Sequence, residues 1–202
     1  DILADRERRL ELLELLRESV ERGFAGFTIH YQPQVDTVSG RLCGAEALAR
    51  WHCTKYGDVS PGEFIPLMEQ SGLIIPFGQW ILSRGMAQCL EWCRFRPDFQ
   101  ISVNLSYIQL AQGDFISFLR TALEEHSLAP SKIILELTET YLAKAEEDTL
   151  RMIAQMKELG VKIAMDDFGV GYSSLFSLKS IPVDVVKIDL SLIHISEPTR
   201  HA

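Results

Sequence analysis

The chain has 202 residues, 47% of them hydrophobic, with 20 Lys and Arg against 28 Asp and Glu and a formal net charge of −8. That length and apolar content suffice for one sizeable core and fall short of two domains. The acidic balance argues against a protein that holds nucleic acid by neutralising phosphates. No apolar run approaches the ~20 residues of a membrane span, and the charged start is unlike a signal peptide, so this segment is expected to sit in the cytoplasm without touching a membrane. The first residue is Asp rather than Met, which reads as an excerpt of something longer.

Residues 7–22, RRLELLELLRESVERG, set leucines at helical spacing and stop at Gly23, which predicts an amphipathic helix connecting residues 1–23 to an upstream domain. FTIHYQPQVD (27–36) and the run VSGRLCGAEAL read as two strands able to pair as a hairpin. Ser60-Pro61-Gly62-Glu63 has the capping-box pattern with Pro at the first helical position, so a helix should run to Ser71-Gly72, followed by another from Pro76 to Phe95. From there the alternation is regular: strand 99–105, helix 114–126, strand 132–138, helix 143–159 closed by Gly160, strand 161–166, short helix 173–179 and strand 183–188. Near-continuous apolar strands separated by helices mean a parallel α/β sheet.

The four cysteines, at 43, 53, 89 and 93, have neither Cys-x-x-Cys nor a histidine at ligand spacing, so no zinc site or disulfide framework is indicated. Cys89 and Cys93 share one helix face and read as core thiols. His30, His52 and His126 match no ligand pattern and are expected to be structural or exposed.

Oxygen-bearing side chains recur where the apolar runs end: Glu46, Asn104, Glu136, Asp166 with Asp167, and Asp189. Their spacing, about 20 to 30 residues from Asn104 onward, is that of strand-plus-helix units. In such a fold ligands bind at the carboxyl ends of the strands. Taken singly, each of these residues is more simply a helix cap or a surface acid; their joint placement reverses that. Carboxylates and an amide oxygen, with no thiolate or imidazole, suit Mg²⁺ or Mn²⁺. Lys187 lies two residues before Asp189 and faces the same side of its strand.

GAEALAR with YQP before it, SVNLS, ELTE, DDFGVGYSSL and VVKID occur here in the order found in EAL domains, the cyclic di-GMP phosphodiesterases of bacterial signalling, and the chain resembles that family over 27–189. The resemblance implies a modified (β/α) barrel of TIM type with its first strand antiparallel, and hydrolysis of cyclic di-GMP to linear pGpG using two Mg²⁺ or Mn²⁺ ions. It implies Glu46, Asn104, Glu136 and Asp166 as metal ligands, with Asp167 reaching the second ion or its waters. Lys187 would orient or activate the attacking water with support from Asp189, and Glu46 would share in catalysis. Arg50 would contact phosphate and Gln32 would line the substrate groove. Glu139 would anchor the loop containing Gly169 and Gly171, and that loop would contribute to a homodimer. An upstream GGDEF or sensor domain fits the connector helix.

The pattern is incomplete, since six strands are countable where the barrel needs eight, and neither the A-E-G-V-E segment nor the final Gln-Gly strand of the family is present. The EAL unit is therefore expected to span 24–189. LSLIHISEPTR (190–200) fits no EAL pattern and resembles a translated sequencing-library adapter, so 190–202 is expected to be non-native. Two further readings stay open: a cyclic di-GMP-binding module without turnover, and a truncated fragment without activity.

Overall fold

The computed structural model describes residues 2–111, 114–143, 147–169 and 182–189. Helix α1 (Ile2–Glu21) ends before Gly23, whose φ of 71° turns the chain back toward β1. Leu12 and Leu16 on α1 are fully buried and belong to the same hydrophobic cluster as the sheet. Ion pairs bring α1 against its neighbours, Arg8 to Glu63 at 2.7 Å and Lys55 to Glu11, while Trp51 Nε1 donates to Ser19 Oγ at 3.3 Å.

The expected hairpin is present, with β1 (Phe27–Val35) antiparallel to β2 (Leu42–Cys53). A short β3 (Gly57–Val59) pairs with the end of β2 and leads into α2 (Pro61–Ser71). Ser60 caps α2 as its sequence predicts, its Oγ accepting from Gly62 N at 3.3 Å, and Gly72 ends the helix at φ 76°. Helix α3 (Ile74–Cys93) starts two residues before Pro76, because a proline in the first helical turn has no intrahelical N–H bond to lose.

Beyond α3 come β4 (Gln100–Asn104), α4 (Tyr107–Ala111), α5 (Phe115–Glu125), a 3₁₀ turn at Pro130–Lys132 and β5 (Ile133–Thr138). Helices α6 (Glu139–Ala143) and α7 (Glu147–Leu159), then β6 (Lys162–Phe168) and β7 (Val185–Ile188), complete the described elements. The short helix expected at 173–179 and the tail at 190–202 lie outside the described residues. Strands β3 and helices α4 and α6 were not expected, each being too short to show a period in sequence.

The sheet runs β1-β2-β4-β5-β6-β7, with β3 beside β2, and every pair from β2–β4 to β6–β7 is parallel. Helices cover one face, an incomplete TIM-like barrel wall with its first strand antiparallel. Alternation assigns the faces. Ala45, Ala47, Ala49, Ile101, Val103, Leu135, Ile163 and Met165 are buried. Ile101 and Val103 lie within 3.5 Å of the Cβ position of Gly85, which fixes that set as the face under α3. Glu46, Ser102, Asn104, Glu136 and Asp166 occupy the alternate positions and share the opposite face.

Candidate active site

The parallel register converts sequence intervals into adjacency. Glu46 pairs with Ser102, Asn104 with Glu136, and Thr138 with Asp166, so successive strands deliver their polar residues to one end of the wall. Ligand oxygens of Glu46, Glu136 and Asp166 lie within 4.8 Å of one another. Asn104 Nδ2 donates to Glu46 Oε1 at 2.9 Å, which ties the amide into the same group.

Lys187 reaches the middle of this cluster from β7. Its Nζ lies 3.0 Å from Glu46 Oε2, 2.5 Å from Glu136 Oε2 and 3.2 Å from Asp166 Oδ2. Burial works against its charge, but the hydrogen bond and charge of Glu136, joined by those of Glu46, outweigh it and hold the ammonium above its ordinary value. Glu136 is only 1% exposed. Burial pushes its carboxyl up to about 7 against the hydrogen bond from Lys187, and the nearby charge of Glu46 adds to the rise.

Asp167 is reached by a different device. A regular pleat would turn it to the opposite face from Asp166, but its φ is 55° and the β6–β7 register shifts between Met165 and Phe168. Its N–H donates to Asp166 Oδ1 at 3.0 Å. Burial, then the like charges of Asp166 and Asp189, raise its carboxyl above the usual range, so it lies in the field of the same acids. Left-handed backbone at a non-glycine residue costs on the order of 1–3 kcal/mol and recurs at functional sites. Nothing in the residue pattern announces it.

The remaining candidates flank this cluster. Gln32 pairs with Glu46 across the hairpin and is exposed at the rim. Arg50, four residues along β2 on the same face as Glu46, lines a pocket of about 300 Å³ together with Glu69, Asn104, Ser106, Gln109 and Glu136. Asp189 donates its N–H to Phe168 O at 3.4 Å beside Asp167. Glu139 is 1% exposed and its Oε2 accepts from Gly169 N at 2.6 Å, so the backbone just after the paired aspartates is held by the helix following β5. Residues 170–181, including Gly171, lie outside the described residues.

Of the histidines, His52 pairs with Asp58 on the surface, His126 Nε2 meets Ser83 Oγ at 3.0 Å, and His30 is exposed. Cys89 and Cys93 lie with their sulfurs 4.0 Å apart, and burial raises the Cys89 thiol to about 12, which fits an inert core thiol.

The acids fit a hard divalent cation on the chemistry of the set: every ligand atom offered is oxygen. Glu136 Oε1 adds a structural reason, being buried with no hydrogen-bond partner among the described residues. A buried acceptor left unpaired costs about 1–3 kcal/mol, which a cation would offset.

A profile of the EAL domain family matches residues 14–201. The chain belongs to that family. Among curated proteins it is 40% identical over 192 residues to the bifunctional diguanylate cyclase/cyclic di-GMP phosphodiesterase MucR of Pseudomonas aeruginosa, covering 95% of this chain and 28% of that protein. It is 37% identical over 174 residues to the cyclic di-GMP phosphodiesterase PdeR of Escherichia coli K12, covering 86% and 26%. The chain thus spans about a quarter of the length of these relatives. Among solved structures, the phosphodiesterase PaMucR in complex with c-di-GMP superimposes with a TM-score of 0.83 at 40% identity, covering 91% of this chain and 76% of that one.

Proposed function

We propose that the parent domain of this chain hydrolyses one phosphodiester bond of cyclic di-GMP to give linear pGpG, with two Mg²⁺ or Mn²⁺ ions held by Glu46, Asn104, Glu136, Asp166 and Asp167. The observation that carries the reading is the convergence of Glu46, Glu136 and Asp166 within 4.8 Å, beside a lysine, at the carboxyl ends of parallel strands. The MucR and PdeR names and the PaMucR complex support the choice of substrate.

Ions bound there supply Lewis acidity toward phosphate oxygens and lower the pKa of water. The chain's own residues supply the orientation. Lys187 donates hydrogen bonds from an ammonium that stays charged, and so positions the attacking oxygen. As the new P–O bond forms in line, the attacking water gives up a proton, the bond from phosphorus to the ribose oxygen breaks, and that oxygen takes up a proton. Arg50 offers a planar pair of donors to non-bridging phosphate oxygens from the wall of the pocket. Gln32 borders the groove beside Glu46, and Asp189 supports Lys187 and Asp167 from the end of β7. Through its bond to Gly169, Glu139 fixes the backbone that follows Asp167. A homodimer, a cytoplasmic location and an upstream GGDEF or sensor domain joined through α1 belong to the same proposal; for the further domain the support is that the chain matches only 28% and 26% of the length of MucR and PdeR.

The test is incubation of the parent domain, expressed with its native continuation past Asp189, with cyclic di-GMP and Mn²⁺, with pGpG followed by chromatography. Product is expected, and Glu46→Ala should lower its rate by more than about 100-fold. Binding of cyclic di-GMP without pGpG would overturn the hydrolase reading in favour of a binding module.

A further inference from the structure

The side chain of Asn104 is exposed at the end of β4, so packing does little to fix its direction. Its aim depends on the backbone of residues 104–106. On one side Leu105 N donates to Glu136 O at 2.9 Å, which locks the strand end to β5. On the other side Ser106 and Gln109 cap α4 reciprocally: Ile108 N donates to Ser106 Oγ at 3.3 Å, and Ser106 N donates to Gln109 Oε1 at 3.0 Å. This is a Ser-x-x-Gln capping box, with each side chain satisfying one of the other end's free donors. Ser106 Oγ in turn donates to Glu69 Oε1 at 2.6 Å, which links the turn to α2.

Gln109 is 5% exposed, unusually deep for an amide that serves only to end a five-residue helix. The space it fills is reserved for it. Gly78 on α3 is buried, and a Cβ there would come 1.7 Å from Gln109 Nε2 and 2.4 Å from its Cδ. The obstruction is the side-chain amide, not backbone, so an added methyl would displace Gln109 and leave α3 in place. Two elements thus hold a buried amide against the backbone two residues beyond Asn104.

We propose that Gln109 is a positioning residue that aims the Asn104 amide at the acid cluster, with Gly78 providing the room it requires. The inference rests on Asn104 serving the site as a ligand. In this role Gln109 acts through the Ser106 N–H and the backbone of the turn.

Asn104 is the sole asparagine of the sequence, so labelling with [¹⁵N]Asn gives a single side-chain amide signal. In the metal-free 202-residue chain, Gln109→Leu is expected to shift that signal and speed its exchange with solvent, because the bond to Glu46 Oε1 loosens. Mn²⁺ affinity should fall about tenfold, as for other residues that orient a ligand from behind. Gly78→Ala should reproduce both changes with Gln109 still present, and should add nothing further on a Gln109→Ala background. This variant also decides the matter if Gln109→Leu fails to fold.

A purely structural role would lower the melting temperature and leave the Asn104 signal where it is. A folded Gln109→Leu or Gly78→Ala protein with wild-type Asn104 exchange overturns the proposal, as do additive effects of the two substitutions. Failure of the wild-type chain to bind Mn²⁺ would instead refute the metal reading, and the Asn104 signal in metal-free protein would still decide the role of Gln109.

Discussion

At the residue scale, two aspartates show how similar side chains acquire different duties from their surroundings. Asp184 accepts from Ile163 N at 2.8 Å and pairs with Lys157. Burial opposes its charge, but the bond from Lys157 and the bond from Ile163 N outweigh it and hold the carboxyl below its usual 3.8. A depressed carboxylate contributes stability that is present above the unfolded value and lost as pH falls through the folded one. Asp184→Asn should therefore destabilise the chain by about 1–2 kcal/mol at pH 7, and the difference should shrink as pH falls below 3.8, read by urea unfolding. Asp167 lies instead among like charges on a strained backbone. Asp167→Gly would relieve the φ of 55° while removing a carboxylate that lies in the field of the cluster, so thermal stability should hold or rise while Mn²⁺ binding weakens. Calorimetry and Mn²⁺ titration on the same sample check both halves.

At the element scale, α1 is bound to the sheet by burial as well as by charge. Leu12 and Leu16 are fully buried, and Trp51 bonds to Ser19 across the same junction. Leu16→Ala should cost about 2–5 kcal/mol, a large share of the 5–15 kcal/mol typical of a domain. A variant lacking residues 1–23 should accordingly unfold at much lower urea concentration. The helix predicted over 7–22 was legible because its leucines recur at helical spacing. That its inner face belongs to the domain core was not legible, since periodicity reveals an apolar stripe without naming what covers it. Helix α4 escaped for the opposite reason. Five residues cannot show a period, and the only sequence signal was the Ser106-x-x-Gln109 box.

At the scale of the whole molecule, the −8 charge and the carboxylate cluster oppose the approach of a dianionic phosphodiester. Binding of cyclic di-GMP should therefore require a divalent cation, and EDTA should abolish it in a calorimetric titration. Mn²⁺ alone should raise the melting temperature in a concentration-dependent way, by about 2.7 kcal/mol of stabilisation at one hundred times its dissociation constant. Glu46→Ala should flatten that response. A wild-type chain whose melting temperature ignores Mn²⁺ would refute the site.

The sequence by itself determined the parallel α/β class and the succession of the six principal strands, and it marked acids at the strand ends, three of which, Glu46, Glu136 and Asp166, converge, because strand-and-helix periodicity and the position of polar residues at strand ends are local properties of the chain. Only the tertiary structure decided which oxygens meet. The register that sets Asn104 beside Glu136, the reach of Lys187 across three strands and the irregular β6–β7 register at Asp167 all depend on how separate strands align. Strand alignment is a relation between distant segments, fixed by packing and hydrogen bonding over the whole sheet, and no stretch of residues contains it alone.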